Sequence, residues 1–413
     1  MTIPINVVIE RHYDNASFLW LQRDDAFHNQ PHYDVEDLQE LDDRLEANLD
    51  GLHVASDVGW DIAEAGLKEG ESGEIFVGGW LAAKACDEKK LDLVIEAVQE
   101  DENNHRALIF ALSWQKDSVI ETWCEVFQTS DKDKYHSLLV HLIAESRICS
   151  REIMIKALRS DNIRIARRAA RAIGENGQRD LLDKLSPFVG SEDKSLGFWS
   201  VWTKLLFSED VNLANVRREL HGESSLALRA VDVIARILNG DSLRALLQDL
   251  AKNEDTIHLA MVGAGLSGDP YWIPGLINRM DDDSIARTVG EAFSMITGVD
   301  LAYEDLVRDH PDELESGPNE NPEDEAVDLG PDEFLPWPAR ELVAAWWDKN
   351  KSRFISGQRY LCGQPITKES CEAVLKAGFQ RQRASAAMEL MFLEERPLFP
   401  VNAPMWRQRL ELG

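Results

Sequence analysis

Histidines at helical spacing are the side chains of this chain that could bind a metal ion. His28 and His32 are four residues apart, so a helix would place both imidazoles on one face. Pro31 lies between them and breaks a helix at that point. His136 and His141 are five residues apart, which is the wrong helical spacing for a shared ligand set. We therefore expect no metal site and no cofactor.

Cysteine chemistry and the common catalytic motifs give no stronger signal. The five cysteines are Cys86, Cys124, Cys149, Cys362 and Cys371. They are scattered, odd in number and without a CxxC pair, a pattern typical of reduced thiols in the cytoplasm. The chain contains no GxxxxGK[ST], GxSxG or HExxH motif, and no GxGxxG after a strand. We predict no catalytic residues and no enzyme, although an α-helical repeat fold by itself does not exclude catalysis.

Composition limits the classes of partner. The chain has 413 residues and a formal net charge of -30, which would repel the phosphates of a nucleic acid. A basic protein partner would instead be steered toward such a surface. The start, MTIPINVVIERHYD, does not have the basic and then apolar pattern of a signal peptide, and no apolar run approaches the roughly 20 residues of a spanning helix. We expect a cytoplasmic protein that contacts neither nucleic acid nor membrane.

One basic stretch, DNIRIARRAARAIGENG at 161–177, stands out in this acidic chain. Its arginines are Arg164, Arg167, Arg168 and Arg171. Its apolar residues recur at i, i+3, i+7 and i+10 as Ile163, Ala166, Ala170 and Ile173, which predicts an amphipathic helix with the arginines mostly on the opposite face. Asn162 or Asp161 would cap its start, and Gly174 and Gly177 would end it. We favour a solvated face or pairing between repeats, with a partner-binding patch as the alternative.

The same arrangement returns along the chain. Residues 281–298 repeat Ile-Ala-Arg and a later alanine 120 positions after 165–172, and helix ends are expected near 114, 144, 174, 208, 240, 268 and 298. A helix pair every ~30 residues predicts an all-α fold, a HEAT-like α-solenoid. Such repeats often contain an ion pair between an Asp of one unit and an Arg of the next. Asp161 with Arg167, or Asp282 with Arg287, could form such a pair. Small residues such as Gly263 and Gly265 would let the helices approach closely.

The two ends differ from this array. Residues 1–105 form an acidic helical region that leads into the solenoid, with a clear amphipathic helix at 34–52 onto which 18–27 is expected to pack. Repeats occupy 106–300, an acidic linker rich in Pro and Gly occupies 301–335, and a helical cap occupies 336–413. The linker is either solvated or a mimic of a polyanion that enters a basic groove of a partner. Trp337, between two prolines, is expected to be exposed.

The combination of ends resembles a known family. FLWLQRDDAF near the start, RRAARAIGENG within the array and LPWPARELVAAWWDKNKSRFISGQRYLCG near the end are similar to a proteobacterial family of HEAT-like proteins, often encoded beside type VI secretion genes. The family offers no catalytic residues that could be assigned to this chain. The resemblance therefore implies only which genes lie nearby, namely those for a secretion spike, its effectors and their adaptors or immunity proteins.

Two classes of function follow from these observations. The first is a protein-binding scaffold that engages a basic effector or a spike component, as immunity protein or as adaptor. The second is an enzyme on a HEAT-like scaffold that modifies a partner, and a weaker third is a self-assembling structural component. Candidate partner-binding residues are Arg164, Arg167, Arg168, Arg171, Asp324, Glu325, Asp328 and Trp337. The sequence leaves the oligomeric state open.

Overall fold

The structure, a computed structural model, is all-α. It describes residues 6–28, 30–148, 150–221, 226–238, 240–311 and 332–412. Helices, with the short 3₁₀ turns included, account for 71% of the described residues, and those residues form 22 α-helices and one two-stranded hairpin. Within those ranges, none of the helices combines the length and the apolar character that crossing a lipid bilayer requires.

The elements follow one another in chain order. The first eleven helices are α1 (Asn6–His28), α2 (Val35–Val54), α3 (Asp57–Gly66), α4 (Ser72–Ala85), α5 (Glu88–Val98), α6 (Glu102–Ser113), α7 (Asp117–Thr129), α8 (Asp133–Ser146), α9 (Arg151–Leu158), α10 (Ile163–Glu175) and α11 (Leu182–Leu185). The remaining elements are α12 (Lys194–Leu206), α13 (Ala214–Arg218), α14 (Ala227–Ile237), α15 (Gly240–Leu250), α16 (Glu254–Ser267), α17 (Ile273–Ile277), α18 (Ala286–Thr297), α19 (Arg340–Asn350), β1 (Tyr360–Leu361), β2 (Gln364–Pro365), α20 (Lys368–Ala377), α21 (Gln380–Glu394) and α22 (Met405–Leu412).

The chain divides into two compact units. The first comprises residues 1–28, 33–184 and 400–413, and the second comprises 29–32 and 185–399. The domain bounds expected from composition, at 105, 300 and 335, stay a prediction.

In the first unit, α2 shows how the sequence pattern places a helix. Asp34 caps it by accepting hydrogen bonds from the backbone N–H groups of Glu36 and Asp37. The apolar pattern of this helix predicts a buried stripe of Val35, Leu38, Leu41, Leu45 and Leu49; the four leucines are buried, and Val35 is half-buried. Helix α1 packs against α2 and α4, which confirms the expected packing of 18–27. Helices α4, α6, α8 and α10 then contact one another in succession.

The C-terminal segment 400–413 is tied to the first two helices by a buried ion pair. Arg23 Nε donates to Asp42 Oδ1 at 2.6 Å, and both side chains are almost completely buried. The backbone N–H of Met405 donates to the other carboxylate oxygen at 2.7 Å, and Arg23 Nη2 donates to the carbonyl oxygen of Ala403 at 3.0 Å. Arg23 of α1 and Asp42 of α2 thus form hydrogen bonds with backbone groups of Ala403 and Met405 in the last segment.

In the second unit, α12, α14, α16 and α18 contact one another in the same succession. A Cβ built on Gly265 would lie 2.8 Å from Cα of Ala292, so the expected close approach at the small residues of α16 is confirmed. The hairpin closes the ends of two helices: Tyr360 N–H donates to the Gly268 carbonyl and Cys362 N–H donates to the Met295 carbonyl, both at 2.8 Å.

Candidate functional site

The predicted arginine helix is α10, and one face of it holds a charged cluster. Arg164, Arg168 and Arg171 lie at i, i+4 and i+7, so they share a face. Asn162 caps the helix by accepting from Arg164 N–H at 3.0 Å, as expected. Ile163, expected on the buried face, is 38% exposed because the core instead takes Ile165 and the alanines that follow.

Arg168 is the centre of this cluster and is not a surface residue. Its side chain is 8% exposed. Its Nη2 donates to Glu145 Oε1 of α8 at 2.8 Å, and its Nη1 donates to Glu175 Oε2 at 3.0 Å. Arg171 Nε donates to the second oxygen of Glu175 at 2.7 Å. The guanidinium of Arg168 is thus used inside the unit, and contact of this residue with a partner stays a prediction.

The charge state of Glu175 follows from these contacts. Burial alone would raise the pKa of its carboxyl. The guanidinium groups of Arg171, Arg168 and Arg147 outweigh burial and lower that pKa well below its usual range. Glu175 is therefore an anion at neutral pH. Charge-assisted hydrogen bonds join Arg168 to Glu145 and Glu175 and join Arg171 to Glu175, while Arg147 adds positive charge and itself donates to Asn176.

A pair of histidines lies beside the cluster. The rings of His105 on α6 and His141 on α8 are 4.8 Å apart between centroids and nearly perpendicular, at 76°. Burial lowers the pKa of both, and the charges of Arg168 and Arg171 lower that of His141 further, well below 6.5. In the part of the chain that is described, neither ring makes a hydrogen bond. Sequence spacing directed attention to His136, whereas the actual neighbour of His141 is 36 residues upstream.

The other two arginines of the stretch are more accessible. Arg164 is exposed, and its guanidinium has no ion pair among the described residues. Arg167 is half-buried and has a partner of its own. The expected pairing of Asp282 with Arg287 is wrong: Arg287 pairs with Asp332 at 3.6 Å and with Glu333 at 3.1 Å.

Trp337, expected to be exposed, is buried at 8% exposure. The guanidinium carbons of Arg287 and Arg308 lie 4.9 and 5.1 Å from the centroid of its ring, and the ring of His310 contacts it at 5.4 Å. Arg287 and Arg308 thus pack against the Trp337 ring, and the prolines beside Trp337 in the sequence do not indicate these contacts. The remaining candidate residues, Asp324, Glu325 and Asp328, lie outside the described residues.

A second buried charged cluster lies in the second unit, and the sequence reasoning missed it. Arg236 on α14 forms ion pairs with Asp232 on the same helix and with Glu389 on α21, the latter at 2.9 Å. Arg359 pairs with the same Glu389 oxygen at 2.6 Å. The available signal was an arginine in the apolar helix α14 and a glutamate in the apolar run AAMELMFL of α21, placements that normally require a partner.

Two chemical properties bear on reactivity. Burial raises the pKa of the thiols of Cys124 and Cys371 to about 11 and that of Cys362 to about 12, so these thiols are protonated at neutral pH. Within the described ranges, no three His, Cys, Asp or Glu side chains are arranged to hold a metal ion.

Compared with family models, with curated proteins and with solved structures, the chain finds no match.

Proposed function

We propose that the chain is a non-catalytic protein-binding scaffold, a HEAT-like α-solenoid with helical caps that acts beside type VI secretion. It would bind an effector or a spike component, as immunity protein or as adaptor. The observation that carries the proposal is the regular succession of helices within each unit. Stacked helix pairs present an extended surface with room for the large contact area of a protein partner.

The helix ends support the solenoid. In the first unit α6, α8 and α10 end at Ser113, Ser146 and Glu175, and in the second α12, α14, α16 and α18 end at Leu206, Ile237, Ser267 and Thr297. These ends follow one another at intervals of about 30 residues, which is typical of helix-pair repeats. Within each unit, every one of these helices contacts the next.

The net charge supports a basic partner. With a formal charge of -30, the chain generates a field that speeds association with a cationic protein and slows it with a nucleic acid. Such steering acts on the association rate and weakens with salt, since the Debye length shortens from about 10 Å at 0.1 M to about 3 Å at 1 M.

The test is binding to the effectors and spike proteins encoded beside the gene for this chain. Each purified protein is titrated with the full chain by calorimetry, and its association rate is measured by surface plasmon resonance, both at low and at moderate salt. We expect one basic partner to bind at submicromolar Kd, with an association rate that falls as salt rises. If none of the neighbouring proteins binds at micromolar concentration, the proposal is wrong.

Two further assays separate the roles. An immunity protein restores growth when its toxin is expressed in the cytoplasm, whereas an adaptor leaves the toxin active and is required for its secretion. Deleting the gene therefore kills or slows the producing cell in the first case and abolishes export of the partner in the second.

A further inference from the structure

Helix α1 has one face that packs inside the first unit and one that does not. The inner face contacts α2, α3 and α4, and its buried side chains are Ile9, Tyr13, Ala16 and Trp20. The opposite face carries a row of exposed side chains, which we call the outer stripe: Val7, Arg11, Asp14, Phe18 and Leu21. These residues recur at alternating steps of four and three, the spacing of the contact stripe of a coiled coil. The outer stripe therefore has the pattern of a surface that packs against a second helix.

The apolar members of the outer stripe are large and strongly exposed. Val7 is 58%, Phe18 59% and Leu21 42% exposed. Single exposed apolar residues are normal on a protein surface, but a row of them along one helix marks an interaction site. Removing these side chains from water would favour association with a partner.

The charged members of the outer stripe restrict what that partner can be. Arg11 and Asp14 are exposed, and neither forms an ion pair with another described residue. A purely apolar partner would cover both charges without supplying a counter-charge, which costs free energy. A fitting partner therefore carries apolar residues with one negative and one positive charge between them, at matching spacing.

We propose that the outer stripe binds the outer stripe of a second copy of this chain, with the two α1 helices antiparallel. In a twofold interface every contact occurs twice, because each copy presents the same surface to the other. A twofold axis beside positions 12–13 places Val7 against Phe18 of the second copy and Arg11 against Asp14 of the second copy. Each of these four positions then meets a residue of matching character.

Other arrangements of the two helices lack this match. A parallel pair places Arg11 against Arg11 and Asp14 against Asp14, so like charges face each other. An antiparallel pair with its axis beside position 16 places Asp14 against Phe18 and Arg11 against Leu21, so both charges are covered by apolar side chains. Charge complementarity thus selects a single orientation and register.

The contact is short, so we expect a weak dimer. From Val7 to Phe18 the stripe follows about 16 Å of helix. An interface of this size is at the small end of the range for specific pairs, and we expect a Kd of about 10–100 µM. The net charge of -30 on each copy opposes association, and salt at about 0.15 M screens most of this repulsion by shortening the Debye length to about 8 Å.

The experiment is sedimentation equilibrium of the full chain at that salt concentration, over protein concentrations that bracket the expected Kd about tenfold on each side. We expect a reversible equilibrium between monomer and dimer. A chain that stays monomeric throughout would leave the outer stripe to a different partner and would overturn the proposal. The dimer goes beyond the proposed scaffold function, and its test needs only the purified chain, so the two proposals can fail separately.

Charge reversal tests the register. Arg11→Asp or Asp14→Arg alone places like charges across the interface and should raise the dimer Kd about tenfold or more. An equal mixture of the two variants restores opposite charges at both contacts, so it should form a heterodimer about as tight as the native dimer. Arg159→Asp, at an exposed position at the end of α9, is the control and should leave the native Kd unchanged.

The variants also separate loss of the contact from loss of the fold. All three positions are exposed, so circular dichroism should show each variant folded. Recovery of the dimer in the mixture gives the same assurance, since two misfolded chains would not restore each other. A native dimer that withstands both reversals, or a mixture that associates no better than the separate variants, would show that the outer stripe is not the interface.

Discussion

Replacing Glu175 by glutamine tests whether the buried cluster of α10 stabilises the first unit through its charges. The substitution keeps the size of the side chain and removes one negative charge that is 7% exposed. In the native unit that carboxylate accepts from Arg168 at 3.0 Å and from Arg171 at 2.7 Å. After the change, two buried or half-buried guanidinium groups lose their common counter-ion.

The loss of stability caused by Glu175→Gln depends on the contacts that the two arginines keep after the substitution. Breaking a buried ion pair by removing one partner costs about 3–5 kcal/mol. Arg168 keeps Glu145 at 2.8 Å, and Arg171, which is one-third exposed, can turn toward water. We therefore expect a value near the lower limit, about 3 kcal/mol. At about 2–4 °C per kcal/mol for a unit of this size, the Tm should fall by about 6–12 °C.

The pH dependence separates charge from packing. Because the folded-state pKa of Glu175 lies below its unfolded value, its contribution is present above about pH 4.5 and is lost as pH falls toward the folded-state pKa. The difference in Tm between native and Glu175→Gln chains, measured by calorimetry, should shrink below that pH. Glu152→Gln, at an exposed position of α9, is the control. Equal small shifts in both variants, or a difference that does not change with pH, would refute the electrostatic reasoning.

Three further predictions concern other parts of the fold. Asp42→Asn leaves a buried arginine unpaired and should cost about 3–5 kcal/mol by chemical denaturation. The folded-state pKa of His141 lies below 6.5, so the free energy of unfolding should fall as pH drops below 6.5, by at most ~1.4 kcal/mol per pH unit. His141→Asn should flatten this slope, measured as Tm against pH. The control, His136→Asn on the same helix, should leave the slope unchanged. Gly298→Ala places a Cβ at φ 74°, 2.4 Å from a carbonyl oxygen, and should cost more than ~1 kcal/mol in thermal unfolding, unlike Gly275→Ala, which meets open space.

The local parts of the fold could be predicted because their signals lie within one helix. The leucine stripe of α2 decides its buried face without help from any other segment, and Asn162 caps α10 as its type and position indicate. Gly298 ends α18 in the left-handed conformation that a glycine adopts at low cost. The packing of one helix against the next depends instead on contacts between residues far apart in the sequence.

The site could be predicted only in part, for the same reason. A helical projection places Arg168 among the polar residues, but its counter-ion Glu145 is supplied by α8, 23 residues earlier. The prolines beside Trp337 suggest an exposed side chain, yet Arg287 and Arg308, which are distant in sequence, pack against its ring. His105 has no histidine within helical reach, so spacing could not identify it as the neighbour of His141.

We expect the buried ion pairs to specify which elements pack together more than they stabilise the units. Arg236 and Glu389 join α14 to α21 across apolar surroundings, with side chains 1% and 3% exposed. A buried pair roughly offsets the cost of its own desolvation, so Arg236→Met alone should cost about 3–5 kcal/mol, while Arg236→Met with Glu389→Leu should be neutral or stabilising by up to about 4 kcal/mol. The charges left behind can be solvated, since Asp232 is 17% and Arg359 34% exposed. Denaturation of both variants decides the point: a double variant as unstable as the single one would mean that the pair itself stabilises the unit.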